Sequence, residues 1–238
     1  MTLMLTTRIQ KISPEGVTPS GVEIFSVFSD RSLFCPESSF EDYGLVMPES
    51  IKKACIKRQS DYLAGRYCAS NVLKALGKEG VTYIASAEDR SPVWPQGYTG
   101  SVSHSENIAV AAACHHSSFQ SLGIDIEFHM KEKTLNSVCE AISIAQERSA
   151  ESVPSGLTRS EYFTLVFSAK ESIFKAIHPL TKVFFGFSDA RVFKICPESG
   201  TFSFKLLTDL SERFYFGYEG KGNFFQGYDF VFTSVFIP

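Results

Sequence analysis

The stretch TRSEYFTLVFSAKESIFKAIHP, residues 158–179, predicts a long helix. Thr158 is followed three residues later by Glu161, the capping-box pattern in which each side chain bonds the other residue's backbone N–H at a helix start. Pro179 has no backbone N–H and indicates where the helix ends. Apolar side chains recur along the stretch (Phe167, Ile173, Phe174 and Ile177), so we expect part of this helix to lie at a packed interface.

A second long helix is predicted upstream, from Pro48 to Leu76. Apolar residues recur there at helical spacing, Pro48 suits a helix start, and Gly77 suits the position after the last turn. A shorter helix is predicted near residues 135–148. Before, between and after the helices lie segments whose alternation or short apolar character is typical of strands. They are VEIFSVFS (22–29), VTYIA (81–85), TGSVSH (99–104), NIAVAAACH (107–115), LGIDIEF (122–128), ARVFKI (190–195), TFSFKLL (201–207), RFYFGYE (213–219) and FFQGYDFVFTSVF (224–236).

This order of elements predicts an α+β protein of two similar halves, residues 1–122 and 123–238. In each half a long helix is followed by strands, and we expect that helix to pack on a small, mostly antiparallel sheet. No repeat is visible residue by residue. A ligand is expected at the seam between the halves, because sites often form there.

Composition narrows the classes of function. Of 238 residues, 44% are hydrophobic and 21% are charged, and the net charge of −3 gives no basic footprint for nucleic acid. Six cysteines without a CxxC pair indicate reduced thiols rather than disulfides or a zinc site. No apolar run is long enough to span a membrane, and the opening MTLMLTTRIQK does not resemble a signal peptide, so we expect a cytoplasmic location.

Two short patterns contain acidic residues suited to metal chemistry. In the predicted strand GIDIE, Asp125 and Glu127 alternate onto one face, and such a pair suits Mg²⁺, although a solvated strand face has the same pattern. On the long helix predicted at residues 158–179, Glu171 and Lys175 share a face at i, i+4, as an ordinary surface salt bridge also would. Lys170 points elsewhere on that helix, either as a solvated charge or as a phosphate contact.

The motifs GSVSHS (100–105), GIDIE (123–127) and FSAKESIFKA (167–176) occur in this order, preceded by RQSDYLAGR (58–66) and overlapping RSPVWPQGYTGSVSH (90–104). From residue 55 to residue 190 the chain resembles the Sfp-type 4′-phosphopantetheinyl transferases, specifically their EntD-like branch. The resemblance implies transfer of the phosphopantetheine arm of coenzyme A to a serine of an apo carrier protein, with release of adenosine 3′,5′-bisphosphate. The Sfp pattern has tryptophan where this chain has Phe167, which concerns pocket shape.

The resemblance also implies roles for individual residues. It makes Asp125, Glu127 and Glu171 ligands of Mg²⁺. Lys175 would contact phosphate oxygens, and Glu171 is the candidate base for the carrier serine. The implied contacts to coenzyme A are Arg58, Arg66, Arg90, Ser103, His104, Asp125 and Lys175. Each of these arginines also suits a surface position, and Ser103 with His104 also suits a strand end bonded to backbone.

The resemblance implies that the partners are peptidyl, aryl or acyl carrier proteins. It points to nonribosomal peptide or siderophore synthesis, with fatty-acid and polyketide carriers as open alternatives. The two-half architecture allows a monomer to form a complete site. The carrier-docking surface is expected within residues 129–165. Two alternatives stay open: an inactive module that binds coenzyme A, and a metal-dependent nucleotide pyrophosphatase. A hydrolase triad of Ser103, His104 and Asp125 is not favoured, because neighbouring strand residues point apart and no GxSxG turn surrounds Ser103.

Overall fold

The computed structural model describes residues 4–7, 18–81 and 83–238. In this part of the chain the strands are β1 (Leu5–Thr7), β2 (Val22–Ser29), β3 (Tyr98–Ser105), β4 (Ile108–His115), β5 (Ser121–Phe128), β6 (Ala190–Cys196), β7 (Thr201–Leu206), β8 (Glu219–Gln226) and β9 (Phe230–Ile237). The α-helices are α1 (Ser39–Asp42), α2 (Glu49–Lys52), α3 (Ile56–Ala75), α4 (Glu132–Ile142) and α5 (Arg159–Thr181). Short 3₁₀ turns lie at Arg31–Leu33, Ala145–Glu147, Ala150–Ser152 and Phe187–Asp189.

The described residues divide into two compact units, 4–7 with 20–120 and 18–19 with 121–238. In the first unit, the sheet has the antiparallel order β1-β2-β4-β3. The helix α3 packs across β2 and β4, where the alanine-rich run 109–113 is fully buried and lets the helix approach closely. Leu63, Cys68 and Leu73 are among the helix side chains that fill the core beneath it.

The second unit contains a sheet of order β5-β9-β8-β7-β6, again antiparallel throughout. The helix α5 packs on β5 and β9, and α4 packs against α5. Its core is rich in aromatic side chains from the last four strands, including Phe202, Phe204 and Phe224. The second unit is therefore built on one long helix that packs against the β5–β9 pair.

The two units share a pattern of connection, and the prediction of an α+β fold is confirmed. In each unit the strand before the long helix pairs with the last strand, β2 with β4 in the first and β5 with β9 in the second. The strand that precedes the last one in the chain then follows in the sheet. The sequence predicted both β2 and β5, but the description of each half as a helix followed by strands left out that each sheet also contains a strand that precedes its helix.

The region predicted as one helix from Pro48 to Leu76 is divided in two. Cys55 has an extended backbone and ends the continuity between α2 and α3. The Gln59 side-chain amide donates to the carbonyls of Lys52 and Ala54, at 3.1 and 2.9 Å, and so satisfies groups that a continuous helix would have bonded itself. A buried side chain thus stabilises a break that helical periodicity does not reveal.

Five other boundaries differ from prediction. The helix predicted near residues 135–148 runs from Glu132 to Ile142 as α4 and is followed by the separate 3₁₀ turn Ala145–Glu147. VTYIA is not a strand in its described part, and Thr82 lies outside the described residues, as does most of the opening stretch MTLMLTTRIQK. RFYFGYE is mainly a loop, in which Gly217 has a positive φ of 94° and Phe214 is buried. FFQGYDFVFTSVF contains a turn between the end of β8 and β9. The helix α5 continues through Pro179 to Thr181, and Lys182 in the left-handed conformation donates to the carbonyl of His178 and ends it.

Among the described residues, none of the helices is long and apolar enough to cross a membrane. All six cysteines carry free thiols, and three of them are buried. Burial raises the pKa of the Cys114 thiol. These buried thiols are therefore small apolar core groups.

Gly123 is the position where α5 lies directly on β5. A side-chain carbon built there would overlap the backbone of Ser172 and Ala176 in α5. We predict that Gly123→Ala destabilises the protein by roughly 2–4 kcal/mol, because the backbones of two packed elements must separate. Urea unfolding of the purified variant measures this loss.

Gly65→Ala in α3 is the matched control. There the added carbon meets only the Val102 side chain, at 3.0 Å, and alanine favours the helix. A Gly123→Ala protein as stable as this control would show that α5 and β5 are not in the close contact described.

Candidate active site

The packing of α5 on β5 brings three of the predicted residues together in the second unit. Asp125 lies on β5 and is 2% exposed. Lys175, on α5, reaches it with a distance of 2.6 Å between Nζ and Oδ1. Because Gly123 lets the helix backbone approach the strand, a lysine from α5 can contact a carboxylate that lies in the sheet.

Glu171 lies one helical turn before Lys175 and is partly buried. Burial raises the pKa of its carboxyl; the charge of Lys175 lowers it, and the negative charge of Asp125 raises it. The net direction is upward. Glu171 is thus electrostatically coupled to both other groups, as expected for two carboxylates and one cation held close together.

Glu127 follows Asp125 by two positions on β5 and is half-buried. Its neighbour across the strand pair is Val231 on β9, whereas that of Asp125 is Thr233. The alternation that placed both carboxylates on one face is therefore present in the sheet.

The donor chemistry of this group suits a hard divalent cation. Carboxylate oxygens are the ligands that Mg²⁺ takes, and the coupling of Asp125 with Glu171 shows two such groups near each other. Within the described ranges, however, no three His, Cys, Asp or Glu side chains are arranged to hold a metal ion. The ammonium of Lys175 is the cation that accompanies Asp125 here. The set of Asp125, Glu127 and Glu171 as metal ligands stays a prediction.

The sequence allowed Lys170 to be either a solvated charge or a phosphate contact. Both interpretations are wrong, because the side chain is buried. Its side chain is 2% exposed and its Nζ lies 2.7 Å from Glu147 Oε2 and 2.7 Å from the Phe187 carbonyl oxygen. Burial lowers the pKa of Lys170, while the Glu147 carboxylate raises it, with a net lowering. No motif marked Glu147, because its role depends on a partner 23 residues away.

A cavity of about 130 Å³ lies beside Glu171 in the same unit. Its lining combines α5 with the segment that follows the helix: Lys170, Glu171, Phe174, Phe184, Phe185, Gly186 and Phe187. Phe167 stands where the Sfp pattern has tryptophan. Its ring packs on the ring of Phe187, with the ring centroids 5.3 Å apart. The carboxylate of Glu171 therefore borders a pocket whose other walls are mainly aromatic.

In the first unit, His104 belongs to a charged cluster that the sequence did not reveal. Asp61 on α3 is surrounded by Arg31, whose Nη2 lies 2.9 Å from Oδ1, by His104, with Nε2 3.5 Å from Oδ2, and by Lys57, with Nζ 3.4 Å from Oδ2. Arg31 also donates to the carbonyl of Glu106. Burial raises the pKa of Asp61, but hydrogen bonds and charge from His104 and Arg31 outweigh it and lower the pKa to about 2.

This cluster leaves a local excess of positive charge, since one carboxylate faces two permanent cations and a histidine. Arg31 lies in the 3₁₀ turn after β2, far in sequence from the helix. The only signal for the cluster was a Lys57–Asp61 spacing of i, i+4.

The other residues expected to contact coenzyme A occupy different settings. Arg66 is buried: it donates to the Ile84 carbonyl at 3.1 Å and to Ser86 Oγ at 2.9 Å, and it stacks on Tyr62. Arg58 is exposed on α3, and Arg90 is exposed in a turn with φ of 67°. Ser103 is buried and His104 is exposed, since neighbouring residues of β3 point to opposite faces.

Comparison with known proteins supports the motif-based resemblance in both units. A family model described as the 4′-phosphopantetheinyl transferase N-terminal domain matches residues 47–114, and one described as the 4′-phosphopantetheinyl transferase superfamily matches residues 121–229.

Individual relatives give the same result. The chain is 36% identical to the 4′-phosphopantetheinyl transferase Npt of Nocardia iowensis over 60% of its own length and 62% of Npt, which is less than two thirds of that relative. It is 36% identical to enterobactin synthase component D of Escherichia coli over 67% of this chain and 74% of the relative. It is 30% identical to the 4′-phosphopantetheinyl transferase Svp of Streptomyces mobaraensis over 82% of this chain and 79% of Svp.

The lowered pKa of Asp61 predicts a pH-dependent contribution to stability. A carboxyl whose pKa is depressed in the folded state stabilises the protein above its ordinary pKa of 3.8, and this contribution is lost as pH falls through about 2. We expect Asp61→Asn to lower the free energy of unfolding by about 1 kcal/mol at neutral pH, after allowance for solvent screening. The difference should shrink as pH is lowered past the ordinary pKa.

Urea unfolding of both proteins along an acid pH series measures this difference. Asp42→Asn, at an exposed position of α1, is the control for loss of a surface carboxylate. A stability gap that stays constant or widens on acidification would contradict the assignment of Asp61 as the buried anion of the cluster.

Proposed function

The chain belongs to the 4′-phosphopantetheinyl transferase superfamily, and from this membership we propose that it transfers the 4′-phosphopantetheine arm of coenzyme A to a serine of an apo carrier protein. In this reaction the serine oxygen bonds to the phosphorus that carries the pantetheine chain. The bond from that phosphorus to the bridging oxygen breaks, and adenosine 3′,5′-bisphosphate leaves. The serine proton passes to a base.

The observation that carries the proposal is the group of Asp125, Glu171 and Lys175 within the matched family region. Transfer of this kind depends mainly on positioning and on balancing the charge of the phosphates. Lys175 is 25% exposed along its side chain, so it can contact Asp125 and also donate to a phosphate oxygen. Glu171, with its raised pKa, is the proposed base for the carrier serine.

We propose that Asp125, Glu127 and Glu171 hold Mg²⁺. When bound, the ion supplies charge neutralisation of the pyrophosphate and of the leaving bisphosphate. Lys175 contributes the complementary positive charge from the protein itself. The packing of α5 on β5 keeps the three carboxylates and the lysine in place.

Coenzyme A also carries a 3′-phosphate, and the first unit offers positive charge for it. We propose that His104, Arg31 and Lys57 of the Asp61 cluster meet coenzyme A phosphates, with Ser103, Arg58 and Arg90 as further contacts. Arg66 is also a proposed contact to coenzyme A. Since Arg66 already donates to Ile84 and Ser86, a bond to coenzyme A would compete with those two bonds.

The carriers proposed are peptidyl, aryl or acyl carrier proteins of nonribosomal peptide or siderophore synthesis. Support comes from the match to a protein named enterobactin synthase component D. We further propose that the protein acts as a monomer in the cytoplasm, where its free thiols remain reduced.

The intact mass of an apo peptidyl carrier protein, after incubation with this protein, coenzyme A and Mg²⁺, tests the function. We expect a mass increase of one phosphopantetheine arm that is absent with chelator and absent without enzyme. Breakdown of coenzyme A in the absence of any carrier would identify a pyrophosphatase. Binding of coenzyme A without modification of several carriers would identify an inactive binding module.

Glu171→Gln keeps the size of the side chain and removes its charge. We predict that transfer falls by about 100-fold or more, because a base and a proposed metal ligand are lost together, while the circular dichroism spectrum is unchanged. Glu212→Gln, at an exposed position of the loop between β7 and β8, is the matched control and should retain full activity. Near-normal turnover of Glu171→Gln at saturating Mg²⁺ would remove Glu171 from the site.

A further inference from the structure

We infer that Lys170 and Glu147 are positioning residues, which hold the aromatic segment 184–187 in place beside Glu171. The inference rests on the proposed function, since it concerns the geometry around the proposed base. It is carried by a buried network of ion pair and hydrogen bonds that connects four parts of the second unit.

Lys170 connects the two walls of the cavity. It lies on α5 next to Glu171, and its ammonium donates to the main-chain carbonyl of Phe187, at 2.7 Å, in the segment that forms the opposite wall. The other contacts between these walls are aromatic: Phe167 with Phe187, and Phe174 with Phe184 and Phe185. Ring contacts tolerate sliding, whereas a hydrogen bond from a buried ammonium to one carbonyl specifies a register.

Glu147 fixes the lysine in turn. Its Oε2 accepts from Lys170 at 2.7 Å and from the Ile144 N–H at 2.8 Å, and its Oε1 accepts from the Val192 N–H at 2.7 Å. Its own carbonyl accepts from the Tyr162 hydroxyl at 3.0 Å. The carboxylate thus joins the 3₁₀ turn 145–147, the edge strand β6 and helix α5, and both of its oxygens are used.

The energetics favour positioning over stability as the role of this pair. Glu147 is 1% exposed and Lys170 is 3% exposed, so both charges have lost nearly all of their water. A buried ion pair adds little to the free energy of folding compared with an apolar pair of the same size, because the cost of desolvating both charges offsets their attraction. A neutral pair of similar volume would therefore support the fold, yet it would not hold the Phe187 carbonyl.

The double variant Glu147→Gln with Lys170→Met tests the inference. Lys170→Met alone leaves a buried carboxylate without its cation and is expected to fold poorly. The double variant removes both charges and the bond to Phe187 together, and Glu147→Gln keeps one acceptor oxygen for the N–H of Ile144 or Val192. Ser168→Ala is the control, because Ser168 is buried on the same helix and bonds Thr233 on β9, away from the cavity.

Two measurements are made on the full chain. Hydrogen exchange of the backbone should become faster in the segment 184–190 of the double variant and not in Ser168→Ala. In the transfer reaction the double variant should lose kcat by about 10-fold or more, because the base is misplaced relative to the opposite wall. KM for coenzyme A should change by less than about threefold, because the proposed phosphate contacts are unaltered.

Unchanged exchange in 184–190 would overturn the inference, and so would a kcat equal to that of Ser168→Ala. A third outcome would also overturn the inference: kcat falls and KM rises by the same factor, and backbone amides throughout the protein exchange faster. That outcome would show that the pair has a purely structural role. If the wild-type protein transfers nothing, the proposed function fails. The exchange measurement then decides by itself whether Lys170 holds the segment.

Discussion

The contact between α5 and β5 at Gly123 is the constraint on which the proposed chemistry depends. Because the strand has no side chain at that position, the helix backbone lies directly on it, and Lys175 reaches the buried carboxylate of Asp125. Glu171 is placed one turn away on the same helix, near enough for its pKa to respond to both groups. A bulkier residue at position 123 would separate these charges without changing any of them.

Two lysines on α5 show how the same side chain serves different purposes. Lys170 forms an ion pair with Glu147 and a hydrogen bond to the Phe187 carbonyl, so its ammonium group is bonded entirely within the protein. Lys175 is partly exposed while it contacts Asp125, so it can also meet a ligand. Burial and the position of the acidic partner, rather than the residue type, separate the proposed positioning role of Lys170 from the proposed binding role of Lys175.

The net charge of −3 does not prevent the protein from offering positive charge locally. Around Asp61 the side chains of Arg31, Lys57 and His104 converge from a turn, a helix and a strand, with a single carboxylate among them. The negative charge of that carboxylate offsets the repulsion among the cations. Its pKa is lowered because His104 and Arg31 stabilise the charged form. A polyanion would therefore meet positive charge at this cluster, whereas the net charge of the whole protein says little about polyanion binding.

The sequence by itself determined the α+β class and the capping box of α5, because these follow from periodicity and from short spacings along the chain. The roles proposed for Asp125, Glu171 and Lys175 came from the resemblance of their motifs to the family. The sequence also indicated the family, through the order of its motifs. It did not reveal the break between α2 and α3, the loop at residues 213–218, the Asp61 cluster or the pairing of Lys170 with Glu147. These were decided by tertiary structure, since each depends on side chains from distant segments whose meeting leaves no local pattern. Whether a charge is buried, and by which partner it is satisfied, is a property of the packed protein alone.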